Sequence, residues 1–184
     1  MENMGRLAKD IEKILITEEE IRNRIKELAD QIMKDYEGKE LLLVGVLNGA
    51  SVFYVNLMME LDLMLDMNYI RVSSYGSGTE SSGTVRMLYD LEADVTGKDV
   101  LVVEDIIDSG NTLSRLKNTL SNRGAASFKC AALLDKPSRR VVDIEADYVG
   151  FKVPDEFLVG YGLDYDGKYR NLRFIGTLKP EIYN

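Results

Sequence analysis

The stretch Val100-Leu101-Val102-Val103-Glu104-Asp105-Ile106-Ile107-Asp108-Ser109-Gly110-Asn111-Thr112-Leu113 reads as a buried strand that runs into two adjacent acids, a third acid and a small-residue turn, then opens a helix. Strand, turn and helix in that order form the unit of an α/β sheet, and such sheets bind ligands beyond the carboxyl ends of their strands. Glu104, Asp105 and Asp108 fall at that end. Carboxylates there suit a hard cation or sugar hydroxyls, and the unpaired N–H groups of a first helical turn suit a phosphate. Acids near a helix N-terminus have a plainer explanation in the macrodipole, worth about 0.3 to 1 kcal/mol each. That accounts for one acid. It does not account for three beside Ser109-Gly110-Asn111-Thr112, where glycine lets a ligand approach the backbone closely.

On either side of this unit the pattern repeats. Thr17-Glu18-Glu19-Glu20 has the spacing of a capping box, and Ile21, Ile25, Leu28 and Ile32 follow at helical intervals before Gly38. Leu41-Leu42-Leu43-Val44-Gly45-Val46 is a short continuous apolar run suited to a strand buried on both faces. A helix is expected over Val52 to Met59, and strands over Leu63 to Val72, Thr84 to Leu88, Phe128 to Leu134 and Tyr148 to Val153. The helix opened by the quoted stretch should run from Thr112 to Asn122, with Gly124 as its stop. Strands alternating with helices predict an α/β fold with a mostly parallel central sheet covered on both faces. Ser73 to Gly83, rich in Ser and Gly, is expected to be a mobile loop, and the segment after Val153 is loop-rich.

Composition narrows the chemistry. A chain of 184 residues with 45% hydrophobic content supports one domain, 1–184, with an ordinary core. Its formal charge of −8 disfavours nonspecific binding to nucleic acid or an anionic membrane. The opening residues lack an apolar signal core and no run approaches a bilayer span, so a cytoplasmic enzyme is expected. With no histidine, proton transfer falls to Asp, Glu, Lys or Tyr. Cys130 is the only cysteine and lies in an apolar run, as a buried inert thiol does. The Gly76 to Gly83 loop fits neither GxGxxG nor a P-loop, and Asp164-Tyr165-Asp166-Gly167 lacks the remaining ligands of a calcium loop.

The quoted stretch resembles the phosphoribosyl pyrophosphate (PRPP) signature of the type I phosphoribosyltransferases. Leu47-Asn48-Gly49, Ser74-Tyr75, Leu134-Asp135-Lys136-Pro137, the run Val153 to Tyr165 and Tyr169-Arg170-Asn171-Leu172 follow in the order seen in the hypoxanthine-guanine branch of that family. The likeness extends from about Leu41 onward. It implies a hood over the carboxyl edge of the sheet, built from the terminal segments and mainly from 154–184. The implied reaction is Mg²⁺-dependent transfer of the 5-phosphoribosyl group from PRPP to hypoxanthine and guanine, with release of pyrophosphate and homodimers or homotetramers as the working state.

By the same resemblance, Glu104 and Asp105 engage the ribose hydroxyls, directly or through Mg²⁺, and Asp108, Ser109, Gly110, Asn111 and Thr112 wrap the 5-phosphate. Asp108 is the expected proton acceptor at purine N7. Lys136, which by itself reads as a solvated loop lysine, becomes the donor to a 6-oxo group, a role that suits a group able only to donate. Phe157 stacks on the purine, which Ile106, Leu158 and Asp164 also border. Asp164 holds a second Mg²⁺ against pyrophosphate. Leu47, Asn48 and Gly49 bind pyrophosphate through backbone N–H groups, in the family often with a cis peptide, and Arg170 adds a guanidinium matched to phosphate oxygens. Ser74 and Tyr75 belong to a loop that closes over the reacting groups. Asn48 departs from the pattern, since many relatives carry Lys there. Two other readings weaken on inspection. An RNA-binding regulator on this fold conflicts with the net charge and the absence of a basic stripe. A receiver domain needs its acid pair near the N-terminus, not mid-chain.

Overall fold

The computed structural model describes residues 6–74 and 85–182. Six strands form the main sheet: β2 (Leu41–Leu47), β3 (Leu65–Ser74), β4 (Val85–Tyr89), β5 (Asp99–Ile107), β6 (Ser127–Asp135) and β7 (Tyr148–Lys152). Their order is β4-β3-β2-β5-β6-β7, and every pairing is parallel except the edge pair β3 and β4.

Burial explains why the strands read as unbroken apolar runs. Along β2 and β5, Leu41, Leu43, Leu101 and Val103 face one helical layer, while Leu42, Val44, Val100 and Val102 face the other. The first layer is α1 (Glu18–Asp35) and α2 (Ser51–Glu60), which contribute Ile21, Ile25, Leu28, Ile32, Phe53 and Leu57. The second is α3 (Asn111–Asn122), through Leu116 and Leu120. Both sheet faces are therefore dry, and apolar side chains are required at successive rather than alternate positions.

Helix α1 begins as its sequence requires: Glu20 N donates to Thr17 Oγ1 at 3.3 Å, and Thr17 N donates back to the Glu20 carboxylate at 2.8 Å. It ends at Asp35, with Tyr36 as its cap, so Gly38 (φ +74°) lies beyond the helix.

Three strands escape the sequence pattern. β1 (Ile11–Ile16), β8 (Leu158–Val159) and β9 (Ile175–Leu178) form a second, antiparallel sheet in the order β1-β9-β8. The β1 register with β9 shifts twice, between Ile11 and Lys13 and between Ile14 and Ile16, which breaks the two-residue alternation by which a strand is recognised. β8 is two residues long. Ser74, expected in the closing loop, ends β3 opposite Val85, because the antiparallel β3–β4 pair extends to that point. Tyr75 and the Gly76 to Gly83 segment lie outside the described residues.

Candidate active site

β5 lies at the centre of the parallel strands, and its carboxyl end brings the acids out between the ends of β2 and β6. Glu104 is only 5% exposed, Asp105 and Ile106 are half-buried, and Asp108 is exposed on the turn. A cleft of about 180 Å³ there is lined by Val46, Leu47 and Gly49 on one side and by Glu104 to Asp108, Gly110 and Thr112 on the other. A larger hollow of about 360 Å³, lined from α1, α2, Tyr161 and Arg170 to Arg173, shares none of these lining residues. Donor chemistry, not size, separates the two: the smaller cleft holds the three carboxylates.

The turn into α3 is suited to an anion. Gly110 adopts φ +82°, and a Cβ there would also press on Ile144, so two constraints ask for glycine. Gly110 caps the helix without any side-chain hydrogen bond to the first turn. Within that turn Asn111 N makes only a long 3.4 Å contact to Ser109 Oγ. Its N–H groups are the ones a helix leaves for a ligand. Ser109 N is itself turned onto the Asp108 carboxylate.

Across the cleft, the Leu47–Asn48 peptide is cis. Gly49 follows, and a Cβ on it would overlap Asp105 Oδ2. Gly162, at φ +103°, lies so close to the Gly49 carbonyl that it too has no room for a Cβ. Three segments distant in sequence thus stack in turn, Gly162 on the Gly49 backbone and Gly49 on the Asp105 carboxylate. Arg170 is fixed beside them, donating from Nη1 to Gly162 O at 2.6 Å and pairing through Nη2 with Asp164 Oδ1 at 2.7 Å.

Lys136, 8% exposed, follows β6, and its backbone N–H donates to Ile107 O at 2.8 Å, which ties the ends of β5 and β6 together. Its Nζ donates to Glu156 O at 2.6 Å, and Asp155 lies 4.0 Å away. The next residue, Phe157, is 51% exposed and meets Tyr165 edge-on at 5.7 Å between ring centroids. Leu158 is buried in β8. The charge of Asp108 is felt at Lys136, so the phosphate turn, the ammonium and the aromatic ring belong to one end of the molecule.

Electrostatics at this end are unbalanced. Burial, reinforced by Asp105 and Asp108, holds the Glu104 carboxyl well above the usual carboxylate range. Burial also pushes Asp105 up to about 6, with Asp164 adding to the rise, while the Ile106 N–H and Arg170 oppose it. Lys136 is pulled down, chiefly by burial. Among the described residues no cation makes a salt bridge to Glu104 or Asp105.

Such a donor set fits Mg²⁺: the groups are hard carboxylate oxygens, with Glu104 buried, Asp105 half-buried and neither in a salt bridge among the described residues. No cluster of three ligating side chains occurs among the described residues. Magnesium commonly binds one or two carboxylates and completes its shell with water and substrate phosphate.

Two residues went unassigned in the sequence. Asp135, 7% exposed, ends β6, and its carboxylate binds the Arg140 guanidinium. Asp135 carries the same sequence signal as Glu104, an acid at the carboxyl end of an apolar strand.

The chain matches the phosphoribosyl transferase domain family over residues 13–166. It is 54% identical over 178 residues to a hypoxanthine-guanine phosphoribosyltransferase of Streptococcus thermophilus, covering 97% of this chain and 99% of that one. A 56% identity over 175 residues joins it to the bifunctional protein TilS/HprT of Listeria monocytogenes, of whose length it spans 27%. A crystal structure of a hypoxanthine phosphoribosyltransferase from Staphylococcus aureus superposes with a TM-score of 0.94 at 49% identity, over 98% of both chains. With its fold, its cleft and these likenesses in agreement, the chain belongs to the phosphoribosyltransferase family and is similar to the hypoxanthine-guanine members of it.

Proposed function

We propose that this chain works in purine salvage, transferring the 5-phosphoribosyl group of PRPP to hypoxanthine and to guanine. The observation that carries the reading is the meeting of buried, uncompensated carboxylates, a glycine turn opening a helix, and a buried ammonium at one end of the sheet. In this reading the 5-phosphate sits on Ser109 to Thr112, the ribose hydroxyls on Glu104 and Asp105, and pyrophosphate on the Leu47-Asn48-Gly49 backbone and Arg170. The bond from the sugar's anomeric carbon to the pyrophosphate oxygen breaks as the bond to purine N9 forms, and the proton at N7 passes to Asp108. Lys136 has three N–H donors, one of them directed to Glu156 O, and offers another to a 6-oxo group. The purine lies between Ile106 and Phe157, with Leu158 and Asp164 at its edge.

Glu104 and Asp105, and separately Asp164, are the groups that would hold Mg²⁺. When bound, the cation neutralises charge on pyrophosphate and sugar. The protein supplies position and a site with little water. No described helix is long and apolar enough to cross a membrane. A cytoplasmic location and a homodimer or homotetramer complete the reading. The exposed Val55 and Met59, one helical turn apart on α2, support association, and neither nucleic acid nor membrane is a partner.

The test is pyrophosphate release from PRPP and Mg²⁺ with each of hypoxanthine, guanine, xanthine and adenine. Hypoxanthine and guanine should react and adenine should not, because a lysine cannot accept from a 6-amino group. Adenine as the preferred base, or no release with any purine, overturns the reading.

A further inference from the structure

Beside the phosphate turn, one guanidinium joins two groups that must act together. Arg140 follows a short 3₁₀ turn (Pro137–Arg139) after β6, and its side chain is 15% exposed. Nη2 binds the Asp135 carboxylate, and Nη1 donates to the main-chain carbonyl of Asp108 at 2.6 Å. The chain then continues so that Val141 N and Val142 N both reach Ser109 O at 3.1 Å. Meanwhile the residue after Asp135 is Lys136, whose N–H binds Ile107 O. A closed circuit results: Ile107 to Ser109, Asp135 to Lys136, and Arg140 to Val142, each tied to the next.

Resting on the function proposed above, we infer that Arg140 is a positioning residue for the transfer reaction, setting where Asp108 stands relative to the purine held by Lys136. A buried arginine and aspartate pair is poor evidence of stability, since desolvation offsets most of its Coulombic gain. What it supplies is geometry. The planar fork reaches a carboxylate and a carbonyl at once, whereas a lysine ammonium on a shorter, unforked stem holds one and releases the other. The carbonyl released would be that of the proton-accepting residue. Misplacement by even about 1 Å commonly costs up to 10²-fold in rate.

The experiment is a double-mutant cycle. Arg140→Lys, Asp108→Asn and the combined variant are compared with the wild-type protein in steady-state assays with hypoxanthine, PRPP and Mg²⁺. Arg140→Lys should lower kcat at least about 10-fold while both KM values stay within about 3-fold, because the Asp108 carboxylate is displaced while Val141 N and Val142 N still hold Ser109 O and with it the phosphate turn. In the Asp108→Asn background the same change should cost less than about 2-fold, since no base remains to be misplaced. Added guanidinium should restore part of the kcat lost by Arg140→Ala, which keeps the inference open to failure if Arg140→Lys folds poorly. Unchanged kcat, a loss confined to KM, equal losses in both backgrounds, or no rescue overturns it. Wild-type protein that fails to turn over hypoxanthine overturns instead the function on which the inference rests.

Discussion

At the end of the sheet where β5 begins, its acid and its neighbours' are partnered inside the protein; at the end where β5 stops, Glu104 and Asp105 have no salt bridge among the described residues. Near the first end, Asp35 closes α1 and accepts from Lys129 Nζ at 2.6 Å and from Tyr148 Oη at 2.5 Å, while Asp99 accepts from Ser127. Lys129 also lies over the Tyr148 ring at 5.3 Å from its centroid. These bonds to Lys129 and Tyr148 hold the Asp35 carboxyl below its ordinary value. At the far end Glu104 and Asp105 are deeper and are held above theirs. Residues of one chemical type thus serve two purposes. Where the protein supplies the counter-charge, the acid contributes to the fold; where it does not, the acid awaits a ligand.

The largest expected effect breaks this comparison at its unbalanced end. Asp105→Asn keeps an acceptor for the Ile106 N–H but removes the charge. It should lower kcat/KM for PRPP by at least about 10²-fold, on the scale of losing a transition-state electrostatic contact. The same variant should melt higher than wild type at pH 7.5 without ligand, by about 2 to 4 °C for each kcal/mol of relieved burial cost. Calorimetry alongside the assay checks both halves. A lower Tm would mean that the Asp105 charge is satisfied within the protein.

Next in size is the packing that sets Gly162 on Gly49 and Gly49 on the Asp105 carboxylate. Gly162→Ala adds a Cβ where the Gly49 carbonyl already stands, at a φ that L-residues rarely adopt. A loss of roughly 2 kcal/mol or more in denaturant unfolding is expected. Activity should fall with it, because Arg170 hangs on the Gly162 carbonyl. Wild-type behaviour in both would show that the loop has room to move away from Gly49.

A smaller effect is written in pH. Asp105 goes from an ordinary 3.8 to about 6 on folding, so the folded state binds its proton more tightly than the unfolded state does. That contribution to stability is complete below about 3.8 and is lost as pH rises through about 6. Glu104, shifted in the same direction, extends the loss upward. Ligand-free protein should therefore shed stability from this end between about pH 4 and 6, and Asp105→Asn should flatten that slope. A slope unchanged by the variant assigns the loss to other groups.

Why the unbalanced end was readable and much of its surroundings was not follows from where each constraint lies. Glu104 to Thr112 carry strand end, acids and glycine turn within one local stretch, so the pattern announces itself. The short apolar runs of β2, β5 and β6 are equally local. By contrast, β1 finds its partner β9 about 160 residues away through a twice-shifted register, and nothing in Ile11-Glu12-Lys13-Ile14-Leu15-Ile16 reveals that pairing. Gly162 needs to be glycine because of Gly49, a fact carried by the approach of two loops. Arg140 looks like one more arginine after Ser138-Arg139, and its link to the Asp108 carbonyl exists only in space. β3 runs through Ser74, beyond the Val72 end that the sequence predicts, because the length of the β3–β4 pair is set by pairing, not by composition.

The balanced end supplies the control. Asp35→Asn removes one charge from a pair whose carboxylate is 45% exposed, so screening limits the cost to at most about 1 kcal/mol. Its pH dependence should run opposite to that of Asp105. A carboxyl held below its ordinary value contributes stability that is present above the unfolded value and is lost as pH falls through the folded one. Melting curves of wild type and Asp35→Asn should then converge as the solution is acidified, whereas wild type and Asp105→Asn should converge in the same direction with the order of Tm reversed. Turnover should stay within about 2-fold of wild type, because Asp35 lies at the far end of the strands from the cleft. A substantial loss of turnover in Asp35→Asn would mean that the two ends are coupled through the sheet, and that charge matching at one of them sets the geometry of the other.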